Sequence, residues 1–135
     1  MFLVDTNVVS ETRKTRPDAN VMAWLVGLDN RTVFLSVVTL AELQKGAESV
    51  RGRRPAAARS LESWIDAPAR THAVLPVNQP VSREWGRLLA TASAKRAMDL
   101  LIAATAVVYG LTVATRNIRD FDDLPVPAIN PFETR

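Results

Sequence analysis

A chain of 135 residues, 47% of them hydrophobic, is long enough for one domain around a buried core, and we read 1–135 as that single domain. The lack of cysteine excludes disulfides and thiolate metal sites, and no apolar run reaches the ~20 residues that span a bilayer. The start, MFLVDTNVVSE, has no basic n-region and does not read as a signal peptide, so a cytoplasmic protein without membrane contact is the expectation. The formal charge of +3 and pI of about 9.9 fit ordinary solubility or a polyanionic partner. The basic residues cluster as Arg51, Arg53 and Arg54, as Lys95 and Arg96, and as Arg116 and Arg119.

Phe2-Leu3-Val4 reads as a short buried strand ending in a carboxylate, Asp5. Thr6 or Asn7 then caps a short helix through Glu11. Pro17 and Asp18 mark a turn, and Val21, Trp24, Leu25 and Leu28 recur at helical spacing from Asn20 to Leu28. Val33-Phe34-Leu35 is a second strand. A helix over Val37–Val50 follows, with Ser36 and Thr39 as cap hydroxyls and Glu42 near its first turn. The basic stretch Arg51–Pro55 reads as an exposed loop. The next helix, carrying Leu61, Trp64 and Ile65, is expected to stop at Pro68, before a third strand at Ala73–Leu75. Another helix is expected from Pro80 to about Lys95. Asp99 opens the apolar helix LLIAATAVVYG, ended by Gly110. Leu111–Thr115 suits a fourth strand through its β-branched residues, and RNIRDF is the loop beyond it. Val126–Ile129 reads as an edge strand, because Pro127 is tolerated only there. Strands alternating with helices imply an α/β sandwich around a parallel sheet.

In such a sheet ligands bind beyond the C-terminal ends of the strands. Asp5, Glu42 and Asp99 all fall there, followed by Asn117 and Asp120. Clustered carboxylates repel one another unless a cation intervenes. Oxygen-only donors suit Mg²⁺ or Mn²⁺. An ion so held polarises a phosphodiester oxygen and activates water. Taken singly, each acid also has a structural reading: Asp5 as a turn or cap residue, Asp99 as a cap, Glu42 as a partner of its helix dipole. The sole histidine, His72, lies away from these acids, and Trp24, Trp64 and Trp85, at helical spacing with other apolar residues, read as core or interface anchors rather than base-stacking platforms.

The segments VDTNVVSE, LSVVTLAEL, DLLIAATA and ATRNIRDF, with the terminal NPF, resemble the PIN-domain ribonucleases, and within them VapC-type toxins including the FitB-like branch. The resemblance covers nearly the whole chain. It implies a three-layer α/β sandwich with about five parallel strands flanked by helices. It also implies a Mg²⁺- or Mn²⁺-dependent endoribonuclease, with Asp5, Glu42 and Asp99 at the main acidic positions. Asn117 stands where relatives often carry a fourth acid, and Asp120 is placed to supply the missing charge. Thr6, Ser36 and Thr115 match hydroxyl positions that support the acids, and Arg116 is a candidate phosphate contact. SAKRAMD runs into Asp99 without the Gly- and Pro-containing approach usual in relatives.

The partners implied are an RNA substrate, a VapB-type antitoxin, a second toxin copy in a homodimer, and DNA only through the antitoxin. Competing readings are a PIN nuclease of RNA processing and a catalytically silent module binding RNA or protein. A nucleotide-binding domain is disfavoured, since no Gly-rich loop follows the first strand.

Overall fold

The computed structural model describes residues 1–91 and 96–133. Strands β1 (Phe2–Val4), β2 (Val33–Ser36), β3 (Ala73–Leu75), β4 (Thr112–Ala114) and β5 (Ala128–Ile129) form one sheet in the order β3-β2-β1-β4-β5. All four pairings are parallel, with Val4 opposite both Leu35 and Ala114. The chain leaves β1 toward β2 on one side and returns with β4 on the other. That reversal opens a crevice at the carboxyl ends of the central strands.

Period-two alternation along each strand feeds two cores. Leu3, Phe34 and Val113 point into one, while Val4, Val33, Leu35 and Ala114 point into the other. The first core is closed by α5 (Gln79–Thr91) and α6 (Ala97–Tyr109). The second is closed by α1 (Thr6–Val9), α2 (Ala19–Val26) and residues of α3 (Val37–Arg51) and α4 (Pro55–Thr71). This is the expected three-layer sandwich with five parallel strands. Helix α6 is buried continuously from Leu100 to Ala106, and truncating the fully buried Leu100 to Ala would cost about 2–5 kcal/mol. Gly110 ends it at φ +66, a left-handed position that strains any side chain. The Leu111 N–H reaches back to the Ala106 carbonyl at 2.8 Å.

Several local expectations are corrected. Asp5, not Thr6 or Asn7, caps α1. The helix passes into a 3-10 turn over Ser10–Arg13 that contains Glu11. Because Ser36 caps α3 through the Val38 N–H at 3.0 Å, Glu42 is the sixth helical residue and lies in the second turn. Helix α4 continues past Pro68 to Thr71. Proline forfeits one backbone donor, but only the last turn remains, and the Thr71 hydroxyl donates to the Ala67 carbonyl there. Asp99 does not open α6. Ala97 and Met98 are strong helix formers, so the helix starts ahead of the acid and places it third. RNIRDF is not all loop: Ile118–Phe121 forms a 3-10 turn. Residues 92–95, which include Lys95, the end of the helix expected over 80–95 and half of the approach to Asp99, lie outside the described residues.

All three tryptophans pack against the cores, and Trp64 also lines a cleft beside Glu42. Trp24 meets Phe2 edge-on at 5.1 Å. The Trp85 indole N–H donates to the Ala97 carbonyl at 2.9 Å, pinning the turn that carries Asp99. His72 sits at the far end of the sheet, its Nδ1 3.3 Å from the Asn30 carbonyl.

Candidate metal-binding and catalytic site

Asp5 leaves β1 at the crevice, with its own N–H held by the Ala114 carbonyl of β4 at 2.9 Å. Its carboxylate is fixed at both oxygens. Oδ1 accepts the Thr6 N–H at 2.8 Å, and Oδ2 accepts the Thr115 hydroxyl at 2.8 Å and the Asn7 amide at 3.3 Å. Thr115, fully buried at the end of β4, also accepts from the Asn117 N–H at 3.1 Å and the Asn7 amide at 3.3 Å. The Asn7 side-chain oxygen takes the Arg116 N–H at 3.1 Å. Asn7 thus ties the turn after β1 to the loop after β4. In the sequence Asn7 reads only as a cap, although a carboxamide two residues beyond a strand-end acid has both a donor and an acceptor to spend on a neighbouring strand.

Glu42 and Asp99 complete the acidic arrangement from α3 and α6. Removal from water pushes the Glu42 carboxyl above its ordinary value, and the charges of Asp5 and Asp99 push it the same way. Thr6 and Lys45 partly offset the rise. Burial also raises Asp99, followed by the fields of Asp120 and Asp5, against the opposing pull of Arg96. Asp5, Glu42 and Asp99 therefore act on one another, and Asp120 acts on Asp99. Four segments distant in sequence bring them together.

Two observations test whether a hard cation fits this set. The donors are carboxylate oxygens whose mutual repulsion already favours uptake of positive charge. The Thr6 hydroxyl, beside Glu42, is buried and makes no hydrogen bond of ordinary geometry. A water on a bound ion would give it a partner. Among the described residues no three His, Cys, Asp or Glu side chains are gathered closely enough to hold a metal ion by themselves. Mg²⁺ takes few carboxylates and keeps several waters, so an open set suits it.

The remaining expected site residues divide. Ser36 caps α3, which carries Glu42, and so acts on the acid through its helix. Asn117 is exposed and engages Thr115 through its backbone. The Arg116 guanidinium lies 4.6 Å above the Phe132 ring, and its charge helps depress Glu11. Arg96, grouped in sequence only with its basic neighbour, is a structural part of the site. It forms a two-pronged pair with Asp123 at 2.9 and 3.1 Å and donates to the Asp120 carbonyl. It thereby links the start of α6 to the turn bearing Asp120.

Comparison with known proteins agrees with this architecture. The PIN domain family matches residues 2–127. "VapC ribonuclease Y4jK" of Sinorhizobium fredii is 37% identical over 98% of this chain and 99% of its own length. "Toxin FitB" of Neisseria gonorrhoeae is 34% identical over 98% and 99%. In three dimensions, a chain of the FitAB complex bound to the IR36 DNA fragment superposes with a TM-score of 0.75 at 30% identity, covering 100% of this chain and 98% of that one. With the fold, the family match and these full-length relatives in agreement, the chain belongs to the PIN-domain family, beside the VapC and FitB toxins.

Proposed function

We propose that this protein is the toxin of a type II toxin–antitoxin pair and acts as a Mg²⁺-dependent endoribonuclease, with Mn²⁺ as a substitute ion. The observation that carries this reading is the gathering of Asp5, Glu42 and Asp99 into mutual repulsion at the carboxyl ends of the central strands, with Asp120 acting on Asp99. Relatives named as a ribonuclease and a toxin support it.

Asp5 and Asp99 would hold the ion, Glu42 would join them directly or through water, and Asp120 would add the charge that Asn117 lacks. When bound, the ion polarises the phosphodiester and lowers the pKa of an attacking water. The chain's own residues do the positioning. Thr115, Thr6 N–H and Asn7 leave the Asp5 carboxylate little freedom. Trp85 fixes the first turn of α6 beneath Asp99. Exposed Arg116 and Arg119 border the cleft that runs past Asn117 and Asp120, where they would meet phosphates of the RNA strand.

A VapB-type antitoxin would inhibit by placing a basic side chain among the acids in competition with the ion. The matched FitAB structure is a complex on DNA, and we extend to this chain a homodimer that meets DNA only through its antitoxin. Among the described residues no helix is long and apolar enough to cross a membrane.

The decisive experiment compares RNA cleavage by wild type, Asp5→Ala and Asp99→Ala in Mg²⁺, Mn²⁺ and EDTA. Cleavage should require the ion and fall at least 100-fold in each variant, on the order of the loss when a principal electrostatic group is removed. Undiminished cutting in either variant or in EDTA would reject the assignment.

A further inference from the structure

We propose that the cleft on the far side of Glu42 is a nucleobase subsite, seating one unstacked base of the substrate RNA beside the phosphate to be cut. This rests on the nuclease reading above. The cleft encloses about 290 Å³ between α1, α3 and α4, and its wall includes Thr6, Arg13, Glu42, Gly46, Leu61 and Trp64. Glu42 faces both the cleft and the acidic field. An occupant of the cleft therefore lies immediately next to the reacting centre.

The wall chemistry suits a base better than a phosphate or sugar. Leu61 and the Trp64 ring give an apolar, partly aromatic floor. The Arg13 guanidinium lies 5.8 Å from the Trp64 ring centroid. Proteins hold splayed-out RNA bases on such aromatic and guanidinium planes. Arg13 is exposed at the rim, where it also favours the adjoining negative backbone.

Gly46 lines the same cleft. It lies inside α3, where glycine is disfavoured, and a Cβ added there would meet nothing within 4 Å. Packing therefore does not require glycine at this position. What the missing side chain does is leave the wall of the cleft open.

The test uses two RNA oligonucleotides of one sequence, intact or abasic at the nucleotide flanking the cut, with wild type, Gly46→Ala, Gly46→Leu and Trp64→Leu. Wild type should cut the intact strand about 5- to 100-fold more efficiently in kcat/KM, the span expected of one stacked base. Gly46→Leu should equalise the two substrates by raising KM for the intact strand, while Gly46→Ala retains most of the preference. Gly46→Leu adds volume to open space, so it reports even if Trp64→Leu fails to fold. Equal cutting of both strands by wild type, or an unchanged preference in Gly46→Leu, overturns the proposal. So does a Gly46→Leu protein that cuts normally but escapes its antitoxin, which would assign the cleft to a protein segment. If wild type cuts no RNA, the nuclease reading fails separately. Fluorescence anisotropy of the same two strands then scores the subsite, with equal affinity counting against it.

Discussion

The Thr115 hydroxyl donates to Asp5 Oδ2 at 2.8 Å across the seam between β1 and β4. The contact joins residues 110 positions apart and fixes the acid nearest the centre of the sheet. Thr115 is fully buried and also accepts from Asn7 and Asn117, so its oxygen serves three partners. Thr115→Val keeps the shape and removes the oxygen. It should destabilise the fold by about 1–3 kcal/mol, the cost of leaving buried polar groups unpaired. Loss of such support should also weaken metal binding about 10- to 100-fold. Thr115→Ser should recover most of both. Urea denaturation and calorimetric Mn²⁺ titration measure the two effects, and an unaltered Mn²⁺ affinity in Thr115→Val would separate this hydroxyl from the site.

Glu11 gives the clearest pH dependence. It is almost fully buried in the turn after α1, accepts from the Lys14 ammonium, and takes the Asp18 N–H at 2.8 Å. The Lys14 hydrogen bond, the Asp18 N–H and the charges of Lys14 and Arg116 hold its carboxyl below the ordinary 4.5, against the opposing effect of burial. A depressed folded-state pKa contributes stability that is complete above 4.5 and is lost as pH falls through the folded value. Glu11→Gln cannot titrate. It should be less stable than wild type by about 1.5–3 kcal/mol at neutral pH, and the gap should close on acidification below 4.5. Urea midpoints from neutral pH to strong acid measure this, and a gap independent of pH would remove the ionised carboxylate from the account.

Arg96 controls the geometry of Asp120. Its two bonds to Asp123 and its bond to the Asp120 carbonyl tether the turn to the start of α6. The pair is partly exposed, so Arg96→Met should cost no more than about 1 kcal/mol of stability. Cleavage should fall much further, about 10- to 100-fold, because small displacements of reacting groups are expensive. Arg96→Lys should not rescue it, since an ammonium does not reproduce the planar fork. Hydrogen exchange over residues 118–123 should quicken in both variants. Equal losses of stability and activity, with exchange unchanged, would count against the tether.

Much of this was legible in the chain because it is local. Phe2–Val4 is an apolar run closed by an acid, and a central parallel strand buried on both faces demands that pattern. The order of Asp5, Glu42 and Asp99 against the strands was enough to place them at one end of the sheet. What stayed hidden is long-range or depends on helix starts. Asn7 reads as a cap until Thr115, 108 positions away, comes within 3.3 Å. Arg96 reads as a solvated cation until Asp123 closes on it from 27 positions away. Asp99 reads as a cap because a carboxylate suits that position, yet the helix formers Ala97 and Met98 carry the helix start two residues ahead of it. Pro68 reads as a stop, yet the last turn survives it with a side-chain bond from Thr71.

The acidic field leads to a crossover in stability. The raised pKa of Asp99 means the native state retains that proton above the ordinary 3.8, where the unfolded chain has released it. Metal-free stability should therefore decline as pH rises through that interval. Asp99→Asn removes a repelling charge from the neighbourhood of Asp120 and Asp5, so in EDTA at neutral pH it should melt above wild type. Mn²⁺ should reverse the order. An ion that binds only the native state stabilises it by about 2.7 kcal/mol at 100 times its Kd, and the Asn variant forfeits most of that gain. The same repulsion that lowers stability in EDTA is the source of the affinity, so the two shifts should have opposite signs in one protein. Thermal melts of both proteins in EDTA and across a Mn²⁺ series measure them. If wild type and Asp99→Asn gained equally from the ion, Asp99 would not be a ligand, and the metal would have to be held elsewhere.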